Sequence, residues 1–341
     1  MKNALVATKS ERMRAVVIAG LFSLISVSAT TAQEVTWDLP VQWPDGNFMT
    51  EVVKTYAEAV AEASGGDIQL TVHSGGSLGV SGADMLGAIR DGVFKIGEYS
   101  LPQAVGEEPI FGMARLPGLY ESYAAYAAFY SVAKPVYQER LDDHNQVLLF
   151  NVPWPQSHIH IKDNISSMKD LEGKKIRTYD PFGTKFYQKL GASPIQMPWA
   201  EVIPALASGV LDGVHTSASS GVDGKFWEFL NTTELLSAQT STSGVFVNKD
   251  ALESLSPEHR KIIVDVARQM EIDFWLRSQA DEASKIDLLI AGGMTVEEAP
   301  ADIRAAALRA AQEIAAEFAA DVPEAKAVID RYYTLRGLAS D

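Results

Sequence analysis

Arg177 is the side chain whose position best suits ligand binding, because it lies at the end of a short predicted strand that follows a turn. A guanidinium presents its donors as a planar fork, which matches a carboxylate through two parallel hydrogen bonds. At a strand end that faces a cleft, Arg177 would therefore capture an organic acid. From this segment alone, the alternative is an ordinary surface ion pair.

Three of the six histidines are further candidates. His158 and His160 are two residues apart on a predicted strand, so they point to the same side and could hold a metal. No third ligand is near them in the sequence, which favours a polar pocket or a surface position. His215 could serve as a base, but the sequence supplies no partner for it. We therefore predict neither a metal site nor a catalytic residue.

The composition excludes several classes of function. The chain of 341 residues has no cysteine, which excludes disulfides, Cys-ligated zinc and thiol nucleophiles. It contains no phosphate-binding loop and no dinucleotide fingerprint, and we expect no cofactor. Its net charge of −15 makes it a poor partner for nucleic acid. Apolar residues make up 47% of the chain, enough for the cores of two α/β units.

Residues 1–32 are typical of a secretory signal peptide. A basic segment ends at Arg14, an apolar stretch covers residues 15–25, and small residues lead to Ala32. The apolar stretch is shorter than the roughly 20 residues of a membrane span. We predict cleavage after Ala32, with Ala29 as the alternative, and a mature protein in the periplasm.

The elements that must position these side chains alternate between strand-like and helix-like patterns. Strands are predicted at residues 34–40, 68–73, 93–99, 147–152, 175–178, 193–197 and 210–215. Helices are predicted at residues 49–64, 84–91, 120–141, 183–190, 201–208 and 301–320, with a long one from Pro257 to about residue 290. This alternation favours βα units with a largely parallel sheet.

A repeated pattern indicates two lobes of similar build. Residues 84–94 and 201–211 share one order of acidic, apolar, small, Gly and Val positions, and each run leads into a strand. Ligands of open α/β sheets bind beyond the carboxyl ends of strands, so residues 98–100 and 215–217 are expected to face each other across a cleft. At ~1.5 Å per residue, the predicted long helix is longer than one lobe, so we expect it to run along both lobes.

Several segments closely resemble one family, the extracytoplasmic solute-binding proteins of TRAP (tripartite ATP-independent periplasmic) transporters, in the DctP-like group. The most specific ones are residues 170–177, 191–194, 199–202 and 209–213. The resemblance implies a receptor whose two α/β lobes close over a small organic acid. It also implies that the loaded receptor docks on a membrane permease with a small and a large subunit.

The resemblance assigns ligand contacts to the second lobe. Arg177 matches the family's carboxylate-clamping arginine, and Trp199 matches an aromatic position that packs against the ligand. Thr216 stands where many relatives have an asparagine, so its hydroxyl, or the imidazole of His215, would replace that amide.

A second arginine, frequent in the family, is replaced here by Ser157, beside His158. The pocket is therefore expected to offer fewer positive charges than those of sialic-acid or dicarboxylate receptors.

Further contacts are expected from the first lobe and from the rim of the cleft. Tyr99 and Ser100 match a segment that contributes a polar contact in relatives, while Trp43, Trp154 and Phe182 lie in loops that the resemblance places at the rim. Several aromatic side chains near one cleft suggest an aromatic or otherwise apolar ligand body.

The predicted fold class is α/β, a two-lobed periplasmic binding protein with an interlobe cleft. Lobe I would comprise residues 33–153 with about 242–281, and lobe II residues 154–241 with about 282–335. Crossing segments near 152–156 and 240–245 would act as hinges. We expect a monomeric receptor and no enzyme. The alternatives are an exported two-lobed hydrolase or lyase that uses His215, and a sensor domain for a small organic acid.

Overall fold

The structure of the protein is a computed structural model that describes residues 34–120 and 122–337. The predicted signal peptide lies outside the described residues. In chain order the strands are β1 (Val35–Pro40), β2 (Ile68–His73), β3 (Ile96–Ser100), β4 (Gln146–Pro153), β5 (Ser157–Ile161), β6 (Ile176–Thr178), β7 (Ile195–Gln196), β8 (Gly213–Ser217), β9 (Thr232–Gln239), β10 (Thr242–Asn248) and β11 (Thr295–Glu298).

The helices alternate with these strands over most of the chain. They are α1 (Phe48–Ala63), α2 (Met85–Arg90), α3 (Tyr123–Asp143), α4 (Met168–Leu171), α5 (Pro181–Lys189), α6 (Trp199–Ala207), α7 (Ala218–Asp223), α8 (Lys249–Ser254), α9 (Pro257–Ala291), α10 (Ala301–Asp321) and α11 (Pro323–Arg336). Short 3₁₀ segments cover Leu101–Ala104, Pro109–Arg115 and Phe226–Glu228.

The described strands form three sheets. β1 and β2 pair in parallel, and β10 runs antiparallel between β3 and β4. The third sheet has the order β11-β9-β5-β8-β6-β7. Within it β5 is antiparallel to both of its neighbours, whereas the other pairings are parallel. The first sheet is therefore parallel, the second antiparallel and the third mixed, so the prediction of a largely parallel sheet was wrong. The antiparallel strands β5 and β10 each begin where the chain has just crossed from one sheet to the other.

Local sequence sets the ends of the helices that position the cleft. Asn47 accepts a hydrogen bond from the Met49 amide and starts α1. Asp180 accepts one from the Gly183 amide, and Pro181 takes the first position of α5. Some predicted strands began too early: Val93 belongs to a turn after Gly92, whose φ of +72° favours glycine, and β3 starts only at Ile96.

The long helix is confirmed, since α9 has 35 residues and begins at the predicted Pro257. Ile263 and Phe274 in its first part pack with β4 and α1, and Leu289 near its end packs with α6 and β8. It therefore contacts the cores around both the second and the third sheet. Among the described residues, no helix is long and apolar enough to cross a membrane.

Candidate functional site

A cleft of about 770 Å³ lies where the chain crosses between the second and the third sheet. β4 leads through residues 154–156 into β5, and β9 leads through Thr240 and Ser241 into β10. The crossing segments bind each other: the Trp154 amide donates to the Ser241 carbonyl at 2.9 Å, and the Thr240 hydroxyl donates to the Trp154 carbonyl at 2.6 Å. The walls of the cleft thus come from both sheets and from two linked crossings.

The cleft is lined by seven of the eleven side chains that the sequence nominates. These are Trp43, Ser100, Trp154, Ser157, Arg177, Trp199 and Thr216. Their contact with a ligand stays a prediction. The other four, Tyr99, His158, Phe182 and His215, lie outside the lining.

Arg177 projects from the middle of β6 and is 96% buried. Its Nε donates to the Met197 carbonyl at 3.1 Å, which fixes the plane of the guanidinium. Cζ lies 5.8 Å from the centre of the Tyr179 ring and 5.9 Å from that of Trp199. Burial lowers the pKa of Arg177 to about 10, so the side chain remains charged at neutral pH. Within the described chain its two terminal nitrogens have no hydrogen-bond acceptor, which leaves the fork available to a ligand in the cleft.

A second guanidinium, which the sequence analysis missed, is that of Arg115. Its Cζ lies 3.7 Å from the centre of the Tyr179 ring, and its Nε forms an ion pair with Asp180 Oδ2. Both members of this pair are buried and line the cleft. The Asp180-Pro181 step is a recognisable helix start, but no local signal marks Arg115, which ends a 3₁₀ segment 65 positions before Asp180.

Trp43 and Trp154 form an apolar part of the lining, the tryptophan wall. The rings of Trp43 and Trp154 have their centres 4.5 Å apart. Trp154 Nε1 donates to the Ser243 hydroxyl at 2.9 Å, and Trp43 Nε1 donates to Glu98 Oε1 at 3.2 Å. Both N–H groups are therefore satisfied within the protein, and a ligand in the cleft would meet apolar ring atoms here. Trp154 is itself buried and packs edge-on against Phe48, with 4.7 Å between ring centres. Burial raises the pKa of Glu98 to about 7.

His215 faces away from the cleft, contrary to expectation, because successive side chains of β8 point to opposite sides. Thr216 lines the cleft, whereas His215 is fully buried between Tyr187 and Gln239. Its Nδ1 lies 2.9 Å from the Tyr187 hydroxyl and its Nε2 lies 2.7 Å from Gln239 Oε1. The amide oxygen can only accept, so Nε2 carries the proton and Nδ1 accepts from the tyrosine. Burial lowers the pKa of His215 well below its usual value, which keeps the ring neutral.

The same alternation separates Tyr99 from Ser100 on β3. Ser100 lines the cleft, and its hydroxyl donates to the Thr242 carbonyl at 2.7 Å. Tyr99 turns into the core, where its ring stacks on Phe246 with 3.9 Å between centres and its hydroxyl donates to Gln146. Tyr99 therefore supports β3 and has no access to a ligand in the cleft.

His158 and Phe182 also lie behind the lining. On β5 it is Ser157 that faces the cleft, while His158 is buried on the other side with Glu282 Oε1 at 3.8 Å. Phe182, the second residue of α5, packs edge-on against Phe318 with 5.5 Å between ring centres. The first turn of α5 thus directs its aromatic ring toward α10 and away from the cleft.

The described residues contain no group of three His, Cys, Asp or Glu side chains that could hold a metal. His160 uses both ring nitrogens within the protein, near the Thr233 hydroxyl at 2.9 Å and the Thr216 carbonyl at 3.2 Å. Burial lowers its pKa to about 3, so it is a neutral residue of the core.

The chain is similar to known solute-binding proteins. Residues 41–321 match the model of the family described as bacterial extracellular solute-binding protein, family 7. A solved structure of a marine metagenome TRAP solute-binding protein, specific for pyroglutamate, is 30% identical. The likeness covers 89% of this chain and 99% of that one, with a TM-score of 0.85.

Two further relatives come from named organisms. DctP7 of Bordetella pertussis, an extracytoplasmic solute receptor binding pyroglutamic acid, is 26% identical with a TM-score of 0.85, over 87% of this chain and 99% of that one. The ectoine-binding periplasmic protein TeaA of Halomonas elongata is 23% identical over 262 residues, which are 73% of this chain and 74% of that protein. The structural likenesses confirm the two-lobed α/β fold predicted from the sequence.

Proposed function

The chain belongs to family 7 of the bacterial extracellular solute-binding proteins, the DctP-like receptors of TRAP transporters, and we propose that it binds a small organic acid through Arg177. The family consists of solute receptors, so the chain is a receptor and not an enzyme. The proposal rests on the state of the Arg177 guanidinium. It is charged, almost fully buried and fixed through Nε, and its fork is unused by the described residues around it.

The rest of the cleft supports a ligand with an apolar body. Trp43 and Trp154 form one wall, and Trp199 lies beside Arg177. A flat apolar ring or chain between these surfaces would place its carboxylate on the fork while its body displaces water from the tryptophans. The hydroxyls of Thr216 and Ser157 remain for polar groups at the ligand's edge.

A thermal-shift screen tests the proposal with carboxylic acids, each paired with its neutral primary amide. A compound that binds only the folded chain stabilises it by RT ln(1 + [L]/Kd), roughly 4 kcal/mol at a thousandfold excess over Kd. We expect at least one acid to raise the melting temperature and its amide to lose most of this effect. Amides that stabilise as well as their acids would contradict a role for the guanidinium fork. Mass spectrometry should recover the bound acid unchanged.

Delivery to a permease is the second part of the proposal. The family membership supports a periplasmic location, a removable leader before the fold, and docking on the small and large membrane subunits of a TRAP transporter. Proteoliposomes that hold the cognate membrane subunits should take up the labelled acid only when this receptor is added. Uptake at an equal rate without the receptor would contradict it.

We also propose the lobe boundaries given by the sequence, with hinges at the two crossings. The direct hydrogen bonds between Trp154 and the Thr240–Ser241 segment support this assignment, because linked crossings would bend together. Since α9 packs against the cores of both halves, it would flex or slide as the cleft closes.

A further inference from the structure

Three side chains set the charge of the cleft. Among the described residues that line it, the arginine, lysine, aspartate and glutamate side chains are Arg115, Arg177 and Asp180. Glu98, which accepts a hydrogen bond from Trp43 Nε1, is not among these lining residues, and burial raises its pKa to about 7. The lining therefore carries two positive charges and one negative charge.

Arg115 is bound on one side only. Its Nε pairs with Asp180 and the face of its guanidinium covers Tyr179 at 3.7 Å. Nη1 and Nη2 are buried, yet no acceptor for them exists in the described part of the chain. Buried charged donors without an acceptor are costly, and Arg115 is one of the residues that line the cleft. An acceptor supplied by the ligand would satisfy them.

A chain of buried polar groups holds Arg115 in this place. Gln239 Nε2 donates to the Arg115 carbonyl at 3.0 Å, and Gln239 Oε1 accepts from His215, which in turn accepts from Tyr187. This series of hydrogen bonds runs from α5 through β8 and β9 to the 3₁₀ segment that ends at Arg115. Such a fully satisfied network fixes the backbone from which the guanidinium projects.

We propose that Arg115 is a second ligand-binding guanidinium, and that Asp180 cancels its charge so that the cleft selects organic acids with one negative charge over those with two. The inference rests on the proposed function, since it specifies which acids Arg177 binds. A monoanion balances the single excess positive charge of the lining. A dianion of the same size would bury a second negative charge without a partner, which is unfavourable.

The charge count is tested with matched acids that differ in one ionised group. Calorimetry would compare succinamate with succinate and glutaramate with glutarate. For the wild-type chain we expect the first member of each pair that binds to bind at least tenfold more tightly than the second. Dianions that bind as tightly as their mono-amides would overturn the inference while leaving the receptor function intact. If no acid of any kind binds, the proposed function itself fails.

Two variants separate the roles of Arg115 and Asp180. Asp180→Asn keeps a side chain that caps α5 equally well, but it leaves two positive charges, so the preference for monoanions should shrink at least tenfold or reverse. Arg115→Met/Asp180→Asn restores a single excess charge and should keep the preference, while losing at least tenfold in affinity because the second guanidinium is gone.

Two results would contradict the roles proposed for Asp180 and Arg115. An unchanged preference in Asp180→Asn would show that Asp180 does not set the charge of the site. Full affinity in the double variant would show that Arg115 is structural only. Because the double variant removes both charges of the buried pair together, neither member of the pair is left buried without the other. Circular dichroism and the melting temperature check that both variants are folded.

Discussion

At the scale of single residues, the planar fork of Arg177 distinguishes it from a lysine in the same place. Arg177→Lys keeps the charge but replaces two parallel donors by one donor direction. We expect a loss of about 2–4 kcal/mol in binding, or roughly 30- to 1,000-fold in Kd, with the fold unchanged. Calorimetry with the tightest-binding acid of the thermal-shift screen measures this change in Kd. Arg268→Lys, at a side chain 76% exposed on α9, is the matched control and should bind like wild type. Affinity within threefold of wild type in Arg177→Lys would contradict the assignment.

Glu98 gives a pH dependence of stability whose sign can be worked out. Burial raises its pKa from an ordinary 4.5 to about 7, so between these values the folded state holds the proton that the unfolded state releases. The contribution of Glu98 to stability is therefore lost as the pH rises through about 7. Glu98→Gln should match wild type in the free energy of unfolding below pH 4.5 and exceed it by on the order of 3 kcal/mol at pH 8.

Denaturant unfolding at several pH values measures this difference between Glu98→Gln and wild type. Taking the difference removes the contributions of His160 and His215, whose pKa values burial lowers in the folded state. Glu58→Gln, at an exposed position of α1, is the control for the loss of one carboxylate. A pH-independent difference for Glu98→Gln would mean that Glu98 titrates normally.

At the scale of elements, one contact joins the start of α1 to the end of α7. Asn47 caps α1 with its Oδ1 and donates from Nδ2 to Asp223 Oδ2 at 2.6 Å. Asn47→Asp keeps the cap, since Asp and Asn cap equally well, but it removes the donor and sets two carboxylates against each other. We expect a loss of about 1–3 kcal/mol in the free energy of unfolding.

The exchange variant Asn47→Asp/Asp223→Asn is the control for this contact. It places the amide on α7 and the carboxylate on α1, so the hydrogen bond can form again and most of the lost stability should return. Denaturant unfolding of the two variants decides the matter. If the double variant is no more stable than Asn47→Asp, the contact between α1 and α7 contributes nothing measurable.

Element patterns also show how far the sequence could predict the site. The strand ends were predictable, because turns and apolar runs locate β3 and β8 to within a few residues. Which side chain of an adjacent pair faces the cleft was not, since that depends on the register against neighbouring strands. Ser100 and Thr216 line the cleft while Tyr99 and His215 do not. Arg115 was missed for a related reason: its partner Asp180 is distant in the sequence and only the packed fold joins them.

At the scale of the whole molecule, lobe closure is the expected response to a ligand. The two crossings are bonded to each other, and α9 contacts the cores on both sides of the cleft. A ligand held between Arg177 and the tryptophan wall would draw these sides together. Small-angle X-ray scattering should show a smaller radius of gyration for the acid-saturated chain. An unchanged radius at saturation would count heavily against closure.

The most direct test of the central claim is a crystal structure of the chain with the tightest acid of the screen. We predict that the acid lies in the cleft, with its carboxylate oxygens in hydrogen-bond contact with the terminal nitrogens of Arg177 and its body against Trp43, Trp154 or Trp199. An acid bound outside this cleft, or bound in it with its carboxylate turned away from Arg177, would contradict the account.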